Sequence, residues 1–120
     1  MIESGSIRVR RVYEDPEQDD GVRLLVDRLW PRGVRKDELL HDAWLKEIAP
    51  STELRTWYGH RPERFEEFAT RYREELRSDA RADALASLRA QARAGTVTLL
   101  TATRDVERSA AAVVADVVRG

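Results

Sequence analysis

Cysteine is absent from this 120-residue chain, which excludes disulfides, thiolate nucleophiles and zinc–thiolate centres. Histidine occurs only as His41 and His60. Neither stands in a His-Glu-x-x-His or comparable metal-ligand spacing, so no metal is expected. Lysine is equally scarce: of 21 basic residues only Lys36 and Lys46 are lysines, and the rest are arginines. An excess of one charge is missing as well, because 22 acidic residues leave a formal net charge of −1. Nucleic-acid binding through bulk positive charge is therefore not favoured, although a local basic patch stays open. No apolar run approaches the roughly 20 residues that span a bilayer. Residues 1–6 show no basic stretch followed by an apolar one, so no signal peptide and no membrane partner are expected, and a cytoplasmic location is. A Gly-rich phosphate loop and a dinucleotide fingerprint are both lacking. No cofactor is implied, and a bound nucleotide would rest on arginines and helix ends.

What is present reads as one α/β domain, long enough to bury roughly two thirds of its unfolded surface. Residues 7–13 alternate, with Ile7 and Val9 on one side and Arg8, Arg10 and Val12 on the other, which predicts a first strand. The acidic run Glu14–Gly21 reads as a solvated connector; its spacing fits no calcium loop. A second strand is expected over Val22–Asp27, where the unbroken Leu24-Leu25-Val26 suits a strand covered on both faces. Pro31 and Gly33 force a turn after it. Over residues 34–49 the pattern suggests a short helix from Asp37 through Leu40 and helical spacing at Trp44, Leu45 and Ile48. Ser51 caps a short helix with Glu53 in its first turn and Gly59 at its end. Pro62 opens a long amphipathic helix with Phe65, Phe68, Ala69, Tyr72 and Leu76 on one stripe. A further helix spans Asp79–Ala94, with Leu85, Leu88 and Ala92 inward. Thr96–Thr101 is a third, β-branched strand, and a last helix covers about Val106–Arg119. The expected fold is thus α/β: a small, mostly parallel sheet of about three strands covered by helices. The long helical segment between the second and third strands allows them to run parallel through a right-handed crossover.

Parallel strands end on one sheet edge, where ligands of open α/β sheets bind. Here that edge joins Leu25-Val26-Asp27-Arg28-Leu29-Trp30-Pro31-Arg32-Gly33 to Thr101-Ala102-Thr103-Arg104-Asp105. Arg28 and Arg32 around Trp30 form a candidate anion clamp, since a planar guanidinium grips phosphate or carboxylate bidentately. The alternative pairs Arg28 with Asp105 and leaves Trp30 to packing. Asp27 is a candidate general base, or else a structural acceptor for Arg104. His60 is the better histidine for proton transfer, with hydrogen bonding at a helix start as the alternative. Arg10 and Thr101 are candidates at the same edge, although alternation alone does not place Arg10 there. Lys36 and Lys46 stand out by scarcity, yet solvated charge is their ordinary role. Trp44, Trp57 and Tyr58 are either core or the rim of a pocket. Ser51 is a better cap than nucleophile, and Glu74 and Glu75 default to a solvated face.

These residues together resemble the YeaO-like branch of the domain of unknown function family 488. The stretch Leu25–Gly33, then Lys36, Trp44-x-Lys46-x-Ile48-Ala49-Pro50-Ser51, Leu54-Arg55-x-Trp57-Tyr58-x-His60, Phe68, Tyr72, Glu75-Leu76 and Thr98-Leu99-Leu100 carry the resemblance, which covers about Ile7 to Val118. The resemblance puts Arg28, Trp30, Arg32, Lys36, Trp44, Lys46, Ser51, Arg55 and His60 at motif positions. Branch members often carry a His-Asn pair early in the last helix, and longer ones carry cysteines near the third strand. Glu107-Arg108-Ser109 and Thr101 stand in those regions here, so chemistry through that histidine or a thiol is not expected. The overall expectation is a small anionic ligand (phosphate, nucleotide or carboxylate) held at the strand ends, with or without catalysis. The alternative is a non-catalytic module for a protein or nucleic-acid partner.

Overall fold

Two apolar faces of one sheet organise the chain, and each is covered by different material. The computed structural model describes residues 6–39 and 41–120. Strands β1 (Ser6–Arg11), β2 (Val22–Leu25), β3 (Ala43–Trp44) and β4 (Thr96–Thr101) form a sheet in the order β1-β4-β2-β3. All three pairings are parallel, with Val9 opposite Leu99, Leu24 opposite Leu99, and Leu25 opposite both Leu100 and Trp44. The helices are α1 (Thr52–Tyr58), α2 (Phe65–Leu76), α3 (Asp79–Ala94) and α4 (Ala110–Arg119). None of the described helices is long and apolar enough to cross a membrane.

Ile7, Leu24, Val26, Val97 and Leu99 point from the sheet into the helical layer and share one core with Phe68, Tyr72, Leu76, Leu88 and Val114. Leu25, Leu100 and Val12 face the other way. There they pack with Leu39, Trp30, Val34 and Trp44, which come from loops and β3 rather than from helices. The continuous apolar run in β2 is thus explained: a strand covered on both sides has no solvent face to alternate with.

The acidic connector departs from its expected solvated role. Asp20 is 1% exposed and binds Arg8 and Arg23, with Arg10 at 3.4 Å, while its own carbonyl accepts from the Thr98 hydroxyl at 2.7 Å. Arg8 and Arg23 both lie opposite Thr98 in the register, so the sheet lines up cations that the connector neutralises. Burial alone would raise the Asp20 carboxyl. The Glu17 amide, Arg8 and Arg23 outweigh it and hold Asp20 well below the usual carboxylate range. Gly21 makes the approach possible: it has φ +66°, and a Cβ there would lie 2.1 Å from the Thr96 carbonyl oxygen.

Other expectations meet the structure closely. The Ser51 hydroxyl accepts from the Leu54 amide at 3.1 Å, Gly59 closes α1 in the left-handed region, and α3 and β4 have the expected bounds. Residues 34–49 do not. Residues 36–38 form turns, Leu40 lies outside the described residues as do residues 1–5, and Trp44 belongs to a fourth strand followed by a 3-10 turn at Lys46–Ile48. The helical spacing misled because the partly buried Trp44 and the buried Ile48 pack on opposite sides of the sheet rather than along one helix face.

Candidate functional site

At the carboxyl ends of β2 and β4 the sheet opens into a cleft of about 230 Å³. Its walls are the loop Asp27–Arg32, Pro50, Arg55 and Tyr58 of α1, His60, Phe68 of α2, Ala102 and Thr103 after β4, and Ser109–Ala110 at the start of α4. Five separate segments converge on it, which no local motif announces.

Asp27 anchors the arrangement. Its carboxylate accepts from the Thr101 hydroxyl at 2.7 Å and the Ala102 amide at 2.8 Å, and its carbonyl accepts from the Trp44 indole at 2.7 Å. One residue thereby ties the ends of β2, β3 and β4 together. Burial pushes the Asp27 carboxyl above its ordinary value, against the opposing effects of the Ala102 amide, the Thr101 hydroxyl and the nearby His60. The loop beyond Asp27 is braced by aromatic contacts. Trp30 meets Trp44 and His41 edge-on at 5.4 Å, donates to the Val34 carbonyl at 2.6 Å, and carries Lys36 over its ring at 6.0 Å. The Tyr13 hydroxyl holds the same loop through the Arg32 carbonyl at 3.1 Å.

The floor is aromatic: Tyr58 stacks on Phe68 with centroids 4.2 Å apart, and its hydroxyl donates to the Arg108 carbonyl at 2.7 Å. Burial raises the Tyr58 phenol above its ordinary value, with Asp105 adding to the effect. Ser109 has no free hydroxyl, since it donates to the Val106 carbonyl and accepts from the Ala112 amide to cap α4. His60 takes φ 57°, the positive-φ non-glycine residue of the described chain, directly after the left-handed Gly59.

Three arginines line the cleft. Among the described residues, the Arg28, Arg32 and Arg55 side chains make no ion pair or hydrogen bond. Elsewhere Arg8, Arg10, Arg23, Arg71, Arg81, Arg108 and Arg119 are each paired with carboxylates, whereas Arg73, Arg77, Arg93 and Arg104 are, among the described residues, as unpaired as the three in the cleft. Neither alternative pairing forms: Asp105 binds Arg108 at 3.1 Å, and Asp27 binds β4 rather than Arg104.

Of the sequence-derived candidates, Asp27, Arg28, Trp30, Arg32, Arg55 and His60 meet in the cleft. The others stand outside it. Arg10, on β1, reaches the acidic connector instead, 3.1 Å from Glu14. Lys46 lies over the Trp44 ring at 5.1 Å, and Trp44 supports Asp27 from below. Thr101 is buried beneath the cleft as a donor to Asp27, while Arg104 is exposed beside it. Ser51 serves Glu75, whose carboxylate accepts from the Ser51 amide at 2.8 Å and its hydroxyl at 2.6 Å. Glu75 is therefore an internal acceptor rather than part of a solvated face. The Glu17, Asp19 and Asp20 carboxylates lie close together, but Arg8, Arg10 and Arg23 already supply their counter-charge. Pattern reading missed Pro50, Phe68 and Ala110 as cleft residues; Pro50 and Phe68 at motif positions were the available signal.

Fold and cleft define a small α/β protein with a cleft at the strand ends lined by Asp27 and three arginines that have no described carboxylate partner. The chain belongs to the family described as the inactive DUF488-N3 subclade, whose model matches residues 6–120. It is 54% identical over 120 residues to the uncharacterized protein Rv3073c of Mycobacterium tuberculosis and, equally, to Mb3100c of Mycobacterium bovis, covering 100% of this chain and 99% of each relative. To the uncharacterized protein YeaO of Escherichia coli it is 49% identical over 71 residues, 59% of this chain and 62% of that protein. No solved structure matches significantly.

Proposed function

We propose that the cleft binds a small anionic ligand and that the protein acts by binding, in the cytoplasm, rather than by catalysis. The observation that carries this reading is the convergence of Arg28, Arg32 and Arg55, none neutralised by a described carboxylate, beside the first turn of α4. The positive dipole end of a ten-residue helix, capped by Ser109, lies there. Guanidinium forks and helix amides recognise phosphate or carboxylate through charge-assisted hydrogen bonds.

Against catalysis, the hydroxyls of Tyr58 and Ser109 are committed to backbone carbonyls, and Asp27 is held by two donors. No nucleophile–base pair lines the cleft among the described residues, and the family description itself reads inactive. His60 favours a second reading in which it exchanges a proton with Asp27, because a strained non-glycine backbone often marks a working site. That reading requires turnover.

A thermal-shift screen against phosphates, nucleotides and carboxylates tests the binding role. A ligand at a hundred times its Kd adds about 2.7 kcal/mol, on the order of 10 °C for a domain of this size. The shift should fall sharply in Arg28→Ala, Arg32→Ala and Arg55→Ala. Absence of any shift from all anions removes the proposal in favour of a macromolecular partner.

A further inference from the structure

The cleft carries more than positive charge, and its other features restrict what fills it. Three guanidinium groups face one carboxylate, Asp27, leaving two positive charges to be balanced when His60 is neutral. A phosphomonoester carries about −1.5 to −2 at neutral pH, whereas a single carboxylate carries about −1. The Asp27 carboxylate also sorts the ligand's ends. It repels an anion placed directly against it, so the anionic head belongs beside Arg28, Arg32, Arg55 and the α4 start. The Asp27 oxygens, each with one donor already, retain lone pairs for a hydroxyl or amino group. Apart from His60, Thr103 and Ser109, the rest of the lining is apolar or aromatic, with Leu29, Trp30 and Phe68 among it. Leu29 is 59% exposed at this cleft, one of two large hydrophobic side chains left in solvent among the described residues. A flat, weakly polar body would cover it; an inorganic ion or a sugar phosphate would not.

We infer that the occupant is a phosphomonoester with hydroxyl or amino donors and a planar body, the chemistry of a nucleoside monophosphate. The inference rests on the anion-binding reading above and adds the body to the head. The volume of about 230 Å³ lies below the roughly 300–1,000 Å³ of sites that enclose a drug-sized ligand, so the cleft would hold the phosphate end and one face of a nucleotide and leave the rest in solvent.

Isothermal titration of the full chain would compare AMP, GMP, CMP and UMP with inorganic phosphate, ribose 5-phosphate, the free nucleosides and free amino acids. At least one nucleoside monophosphate should bind tenfold or more tightly than phosphate, ribose 5-phosphate and its own nucleoside. Leu29→Ala, a change on an exposed side chain, should weaken that nucleotide severalfold and leave phosphate binding unchanged. Arg55→Ala should weaken both. Equal affinity for phosphate, ribose 5-phosphate and nucleotide would overturn the planar body while leaving the anion site standing. Tighter binding of an amino acid would overturn the phosphomonoester. Failure of every compound would remove the anion site itself.

Discussion

His60 shows how one residue joins stability to the site. Its φ of 57° costs an L-amino acid about 1–2 kcal/mol relative to the right-handed region. Nothing about α1 demands the strain there, because Gly59 already closes the helix in the left-handed region. The conformation turns His60 into the cleft, near enough to Asp27 for its charge to lower the carboxyl's pKa. His60→Gly should therefore raise stability in urea by about 1 kcal/mol, offset in part by the added freedom of the unfolded chain, while weakening ligand binding. A variant that loses stability would show that the imidazole contributes packing rather than function. His60 was legible as a candidate from its motif position, but its backbone conformation was not, since single-residue φ values depend on what the neighbouring elements allow.

Between elements, two clasps deserve measurement because the linear pattern assigned both to solvent. Glu75 reaches from α2 to the Ser51 amide and hydroxyl, and Tyr72 one turn earlier donates to the Ile48 carbonyl at 2.6 Å. Burial pushes the Tyr72 phenol far above its ordinary value. These bonds seat the Ile48–Ser51 segment, and so Pro50 and α1, at the cleft. Glu75→Ala should cost about 1–3 kcal/mol in chemical denaturation by orphaning two donors, whereas Glu74→Ala on the exposed side should stay within about 0.5 kcal/mol. Equal effects would deny the clasp. The second is Asp20, whose folded-state carboxyl is held below its unfolded value of about 3.9. Its stabilisation is complete above that value and lost as pH falls through the range below it. Asp27 is shifted upward, so its contribution is greatest at low pH and declines as pH rises; it produces no acid limb. Asp20→Asn should be less stable at pH 7 and lose less stability between about pH 5 and pH 2 than the parent chain. A parallel acid limb in both would rule out Asp20 as its source.

For the whole molecule, the near-zero net charge conceals an uneven distribution. The acidic connector absorbs Arg8, Arg10 and Arg23, while Arg28, Arg32 and Arg55 in the cleft have no described carboxylate partner. Ligand affinity should accordingly fall as salt rises from about 50 to 500 mM, because the Debye length shrinks below the dimensions of the cleft. Titrations that show no salt dependence would mean the arginines do not contact the ligand. The pattern of residues by itself determined the elements that have one solvent face or none: α2, α3, β2 and β4 follow from periodicity, and α1 from Ser51 and Gly59. It also picked out Asp27, Arg28, Trp30, Arg32 and His60, whereas Arg55 came only from the family resemblance. Only the tertiary structure decided β3, the burial of Asp20 and the roles of Glu75 and Phe68. Each of those depends on a partner at least two elements away or on a loop packed against a sheet face, and no periodicity along the chain records such a partner. The same reason left Arg10 beside the connector and Arg55 in the cleft: alternation says which side of a strand a residue takes, and packing alone says what stands opposite.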